Sequence, residues 1–142
     1  MNSRFALSMH ILTILASSDG LLTSERLAEM VGTNAAVIRR LAQILTKAQM
    51  VQSRLGPGGG LKLGLAPEKI TLACVFAITK DETMLKNIDR SSCDCVFSSA
   101  LEATINTASG AAEQAFLETL RQTTLQDILE TARQMPTPKA VA

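Results

Sequence analysis

Apolar residues recur at helical spacing along most of the chain, and alternation with a period of two appears in only one place. Residues 3–17 are apolar on most sides (Phe5, Leu7, Met9, Ile11, Leu12, Ile14, Leu15), which predicts a helix buried on several faces. Residues 24–30 predict a short helix capped by Thr23 or Ser24. Val31, Gly32 and Thr33 are few enough to form the turn of a helix-turn-helix, with Gly32 free to take a positive φ. Asn34 or Thr33 then caps a second helix running to about residue 48. On a helical wheel Ile38, Leu41, Leu45 and Ala48 share one face, while Ala36, Arg39, Arg40, Gln43 and Lys47 share the other. Residues 51–55 and 61–65 alternate apolar and polar, interrupted at Ser53, as half-buried strands do. Between them lies Gly56-Pro57-Gly58-Gly59-Gly60, a turn with little bulk to keep another backbone away.

The second half returns to helical periodicity. Residues 66–69 read as a loop, and Thr71 caps a short apolar helix to about residue 79. Residues 80–92 have mixed charge and no clear period, predicting a mobile connection with at most one helical turn at 84–88. A long helix is expected from Val96 to about Arg121. Phe97, Leu101, Thr104, Ala108, Ala111 and Ala115 recur along it in alternating steps of four and three, a seam against a second helix. Ser109-Gly110 is its weak point, costing about 1 kcal/mol relative to Ala. The apolar residues occupy more than one face of so long a helix, which favours a seam between two subunits over a fold-back onto its own domain. Residues 124–134 predict one more short helix, and residues 136–142 a disordered tail. The expected fold class is mainly α with a small β-hairpin, a winged helix-turn-helix followed by a long dimerisation helix. The expected division is 1–79 for the winged helix-turn-helix, 80–135 for a connecting loop and dimerisation helices, and 136–142 for the tail.

Composition changes this picture little, but charge does. The 142 residues are 46% hydrophobic with four aromatic residues, all Phe, so the core must be built from Leu, Ile, Ala and Met. Net charge is only +1. Residues 1–64, however, hold seven Lys or Arg against three acids, a balance of +4, and residues 65–142 hold seven against ten, a balance of −3. A basic front half joined to an acidic back half suggests a nucleic-acid module attached to something else. No run of eighteen apolar residues is present, and the N-terminal stretch, broken by Ser8, His10 and Thr13, lacks a signal-peptide cleavage pattern. Three cysteines without an even framework fit a reducing cytoplasm.

Catalytic constellations fare poorly. A P-loop needs Lys and then Ser or Thr after its last glycine, whereas residues 61–63 are Leu-Lys-Leu and the loop joins two strands. His10 is the only histidine, with no acid at helical spacing, and is expected to pack in the core instead of binding a metal. No nucleophile–histidine–acid set can be assembled, so an enzyme is not expected. Asn2, Ser3 and Arg4 stand at a helix start, where free N–H groups and a cation could hold a phosphate as readily as cap the helix.

Three stretches carry a family resemblance: MNSRFALSMHILTILAS, LTSERLAEMVGTNAAVIRRL and MVQSRLGPGGGLKLGLAPEKITL. In this order they resemble the IscR/NsrR-type winged-helix regulators, the Rrf-two family, in its YwnA-like branch. The Gly-Pro-Gly-Gly-Gly wing followed by Ile70-Thr71-Leu72 is the most specific piece. The resemblance implies that residues 33–40 enter the major groove of DNA and that the wing reaches the neighbouring minor groove. The DNA-contacting candidates are then Ser3, Arg4, Thr33, Asn34, Ala36, Arg39, Arg40, Gln43, Arg54, Gly56, Pro57, Gly58 and Gly59. Relatives commonly carry Arg directly before the first wing glycine, where this chain has Leu55, with Arg54 one position earlier and turned by strand alternation to the opposite face. Cys93 and Cys95 lie where the family carries its sensing thiols. Iron–sulfur members resemble a three-cysteine pattern in that loop. Here there are two, with Cys74 on an expected buried helix, so no cluster and no other cofactor is expected.

The resulting expectation is a cytoplasmic, homodimeric repressor binding a pseudo-palindromic double-stranded operator, with Cys93 and Cys95 as redox-sensing thiols. Two rival readings stay open: a small-molecule-responsive regulator with inert cysteines, and a winged-helix module that binds protein instead of DNA.

Overall fold

The computed structural model of the chain describes residues 3–80 and 96–136, apart from the side chain of Ser3. The expected connection, Cys93, Cys95 and residues 137–142 of the tail lie outside the described residues. Six α-helices and one hairpin follow in order: α1 Ser3–Ala16, α2 Ser24–Val31, α3 Ala35–Lys47, β1 Val51–Arg54, β2 Gly60–Leu63, a 3₁₀ turn at Pro67–Lys69, α4 Leu72–Thr79, α5 Val96–Arg121 and α6 Leu125–Gln134. This is the mainly helical fold with a two-stranded hairpin that the periodicity predicts.

Local chemistry sets the helix ends. The hydroxyl of Thr23 accepts from the Arg26 N–H at 3.2 Å, and the Asn34 side-chain oxygen accepts from Val37 N–H at 3.0 Å. Each satisfies one of the orphan donors of a first turn, an interaction worth about 1 kcal/mol. Gly32 closes α2 at φ +76°, and its N–H and that of Thr33 both donate to the Ala28 carbonyl at 2.9 Å. That αL cap is what allows α3 to turn away within three residues.

The hairpin is antiparallel, with Val51 opposite Leu63 and Arg54 opposite Gly60. On the far side of β2, Leu22 exchanges two backbone hydrogen bonds with Leu61 (2.9 and 2.8 Å), so the wing is anchored to the α1–α2 connection. Gly60 has to be a glycine there: a Cβ would stand 2.7 Å from the Leu22 carbonyl oxygen. Leu55 departs from the alternation that predicts it half-buried. The ladder stops at Arg54, and the glycine tip opposite offers Leu55 nothing to pack on, so it is 93% exposed.

The core takes Ile11 and Leu12 from α1, Leu27 from α2, Ile38 and Leu45 from α3, Val51 from β1 and Val75 from α4. His10, expected in that core, is exposed. With Ala6, and with Ser17 just past the helix end, it lies on a narrow outward strip, spaced four and seven residues apart, which the apolar residues on both sides conceal in the sequence. Cys74 is likewise exposed, not buried: it sits on the solvent side of α4 while Ala73, Val75 and Phe76 turn inward.

The C-terminal helix returns to this same core. Thr124 and Asp127 form a reciprocal capping box at the start of α6. Leu125 donates its N–H to the Ile70 carbonyl at 2.7 Å, and Leu72 donates to the Thr123 carbonyl at 3.0 Å, a single β-bridge between distant parts of the chain. Leu125 is fully buried beside the residues of α1–α4, a burial worth about 1.5–3 kcal/mol.

Candidate nucleic-acid interface

One side of α3 is committed to the core through Ile38, Leu41, Ala42 and Leu45. The opposite side presents Ala36, Arg39, Arg40, Gln43 and Lys47, all exposed, as the wheel predicts. Thr33 is half-buried at the turn, and the Asn34 side chain is occupied in capping the helix. Gly56, Pro57 and Gly58 are exposed at the wing tip and Gly59 is half-buried, while Ser3 and Arg4 begin α1.

Between α3 and the hairpin runs an open groove of about 730 Å³. Arg39, Gln43 and Lys47 line its helix wall, Arg54 and Leu55 its wing wall, and Ser24 reaches it from α2. No acid lines it. Three cations converge here from two separate elements with no acid on the groove walls, and a set of this kind attracts a polyanion and can neutralise its phosphates. The walls also carry small and amide side chains able to meet base edges. Lys47 and Leu55 are not among the DNA-contacting candidates of the sequence, although Lys47 falls on the wheel face that marks Arg39 and Gln43.

Arg39 is held from outside the groove. Its guanidinium donates to the carboxylate of Glu25, at the first turn of α2. The Glu25 carboxyl is held below its ordinary value of 4.5, first by its own backbone N–H at the helix start and then by Arg39. Arg40 has no salt-bridge partner among the described residues.

The long helix α5 contains no buried residue. Ile105, Ser109, Glu113 and Leu117 face the body of the chain and are half-buried, and Lys80 at the end of α4 pairs with Glu113 at 3.5 Å. Phe116 packs edge-on against Phe76 of α4 at 5.2 Å between centroids, and Phe76 against Phe5 of α1 at 5.6 Å. The predicted seam, Phe97, Leu101, Thr104, Ala108, Ala111 and Ala115, lies exposed, with Phe97 at 85% and Leu101 at 56%.

Among the described residues no group of three His, Cys, Asp or Glu side chains could hold a metal ion. Cys74, exposed on α4, accepts only the Thr71 hydroxyl at 3.1 Å, so the described donors alone do not fit an iron centre. No described helix is long and apolar enough to cross a membrane.

Comparison with known proteins follows this geometry. The model of the Rrf2 family, described as an iron-dependent transcriptional regulator, matches residues 1–131. YwnA of Bacillus subtilis (strain 168) is 30% identical over 131 residues, covering 91% of this chain and 96% of its own. The HTH-type transcriptional regulator NsrR of Oceanobacillus iheyensis is 26% identical over 132 residues, covering 92% and 88%. Among solved structures, the IscR of T. potens superposes with a TM-score of 0.68 at 22% identity, over 97% of this chain and 93% of that one. That likeness is one of fold.

Proposed function

Because the chain belongs to the Rrf2 family of DNA-binding transcriptional regulators, we propose that it acts as a homodimeric repressor on a pseudo-palindromic operator, in the cytoplasm. Residues 1–79 bind DNA, and residues 80–135 join and pair the subunits. The observation that carries this reading is the acid-free groove shared by Arg39, Lys47 and Arg54. Arg39, Arg40 and Gln43 enter the major groove with Ala36 close against the bases. Thr33 and Asn34 approach from the helix start, Ser3 and Arg4 meet a phosphate, and the tip at Gly56, Pro57, Gly58 and Gly59 lies along the next minor groove.

The exposed α5 seam supports dimerisation: a long helix with Phe97 and Leu101 in water would gain from a second copy laid against it, and its Ala-rich middle lets two backbones approach closely. A two-fold axis along α5 sets two α3 helices about one DNA turn apart, ~34–36 Å, or a multiple of it. Cys93 and Cys95 immediately precede α5 in sequence, so a change in their oxidation state acts on the helix that sets this spacing.

Selection from random-sequence duplexes by the full chain tests the proposal. Enrichment of an inverted repeat with half-sites one turn apart is the expected result. Failure to enrich any sequence, at low as well as physiological salt, overturns it.

A further inference from the structure

Leu55 is the most exposed large apolar side chain among the described residues, at 93%. It follows the last paired residue of β1 and precedes Gly56, whose φ of +88° turns the chain into the tip. From residue 56 to residue 60 only Pro57 has a side chain at all, so Leu55 supplies the bulk of the wing's leading edge. It is not isolated from the charged groups: with Arg54, Arg39 and Lys47 it lines the open groove between wing and α3.

Resting on the DNA reading above, we propose that Leu55 is a specificity-determining contact that enters the minor groove beside the wing and selects A·T over G·C there. The surrounding cations and the absence of acid in the groove identify the occupant as a polyanion. With α3 in the major groove, the hairpin beside it crosses the phosphate ridge and meets the adjacent minor groove. Arg54 and Lys47 hold the phosphates of that ridge. The minor-groove floor of an A·T pair carries acceptors and the flat C2–H edge of adenine, whereas a G·C pair adds the protruding guanine amino donor. A leucine can bond to none of these. It packs closely on the A·T floor and the flanking sugars, but against guanine it collides with the amino group and strips it of water without replacing the hydrogen bond. Selection is therefore by exclusion, at one position in each half-site.

The test uses the duplex enriched by the full-length wild-type protein, with the A·T pairs under the wing replaced one at a time by G·C or by I·C. Inosine presents the guanine ring without the amino group. For the wild type, G·C at one position in each half-site should weaken binding about tenfold, the ordinary cost of one wrong pair, and I·C should restore it. Leu55→Ala, a change at an exposed site, should bind the three duplexes within about twofold of one another. A wild type indifferent to the amino group at every wing-facing pair overturns the inference, as does a Leu55→Ala protein that keeps the preference. If the wild type enriches no duplex, the DNA reading itself falls, which separates the two failures.

Discussion

Arg39 on α3 and Glu25 on α2, fourteen residues apart in sequence, form an ion pair that ties the two helices of the helix-turn-helix together at the edge of the basic groove. The pair fixes where one of the groove's three cations stands. It also places the nearest carboxylate beside the surface that would meet phosphate.

Glu25→Gln tests both consequences. Released from Glu25, Arg39 is freer to meet any phosphate, so binding to random-sequence duplex should tighten while discrimination of the selected operator falls. Acid stability should change with it. Glu25 has a folded value below 4.5, so its stabilisation is present above about that pH and fades as pH falls through the folded value. Urea unfolding of the variant should show a shallower loss of stability below pH 4.5 than the wild type. Identical acid limbs would remove Glu25 from the account.

Arg40, without a salt-bridge partner among the described residues, should behave differently from Arg39. Arg40→Ala should weaken operator binding without loss of helicity. If Arg40 meets only phosphate, the slope of log affinity against log salt drops by about one and all sequences suffer alike. If it reads a guanine, about 1–3 kcal/mol of discrimination disappears at one position. Binding unchanged at low and high salt would place it outside the interface.

Charges introduced as Leu101→Glu and Ala108→Glu on the exposed seam of α5 should separate the subunits, with operator affinity collapsing to that of a half-site. Sedimentation decides this. A wild type that is monomeric at micromolar concentration would defeat the symmetric-operator model, and a variant that remains dimeric would move the interface elsewhere.

Thiol control is tested by operator binding of reduced protein, mildly oxidised protein and a Cys93→Ser/Cys95→Ser variant, each also carrying Cys74→Ser because that third thiol is exposed. Oxidation should alter the protein that retains Cys93 and Cys95 and leave the double variant unchanged. Equal responses would exclude the pair as the switch.

A further change concerns stability alone. Ser8 is fully buried in α1, and its hydroxyl has no hydrogen-bond partner among the described residues. Ser8→Ala removes an unsatisfied polar group at nearly constant shape, so the protein should gain about 1 kcal/mol in urea unfolding. A loss of similar size would mean the hydroxyl is bonded after all.

Elements with a local signature were legible from the chain. Of the caps the sequence offers, Thr23 or Ser24, Thr33 or Asn34, and Thr71, it is Thr23, Asn34 and Thr71 that cap, and the long helix runs from Val96 to Arg121 as its periodicity predicts. The exposed and buried faces of α3 also followed from the wheel. What escaped was tertiary. Nothing near Glu25 announces a partner fourteen residues on, because ion pairing between helices depends on their crossing and not on either helix's own period. His10 was hidden by the apolar residues that flank its strip on α1. Leu55 satisfies the period of a strand that ends one residue too early to bury it. The same limit applies to α6: its amphipathic pattern foretold a helix, but not that Leu125 would pack among residues of α1–α4.

The bridge between Thr71 and Thr124 has a consequence for the order of events during synthesis. The first four helices and the hairpin leave the ribosome with the site that Leu125 fills still empty, and Leu125 lies 46 residues beyond the end of α4. Joining ends so far apart costs only a slowly growing entropy, yet the contact cannot form before its second member exists. A nascent chain therefore closes the core of its winged helix only after the whole of α5 has been made.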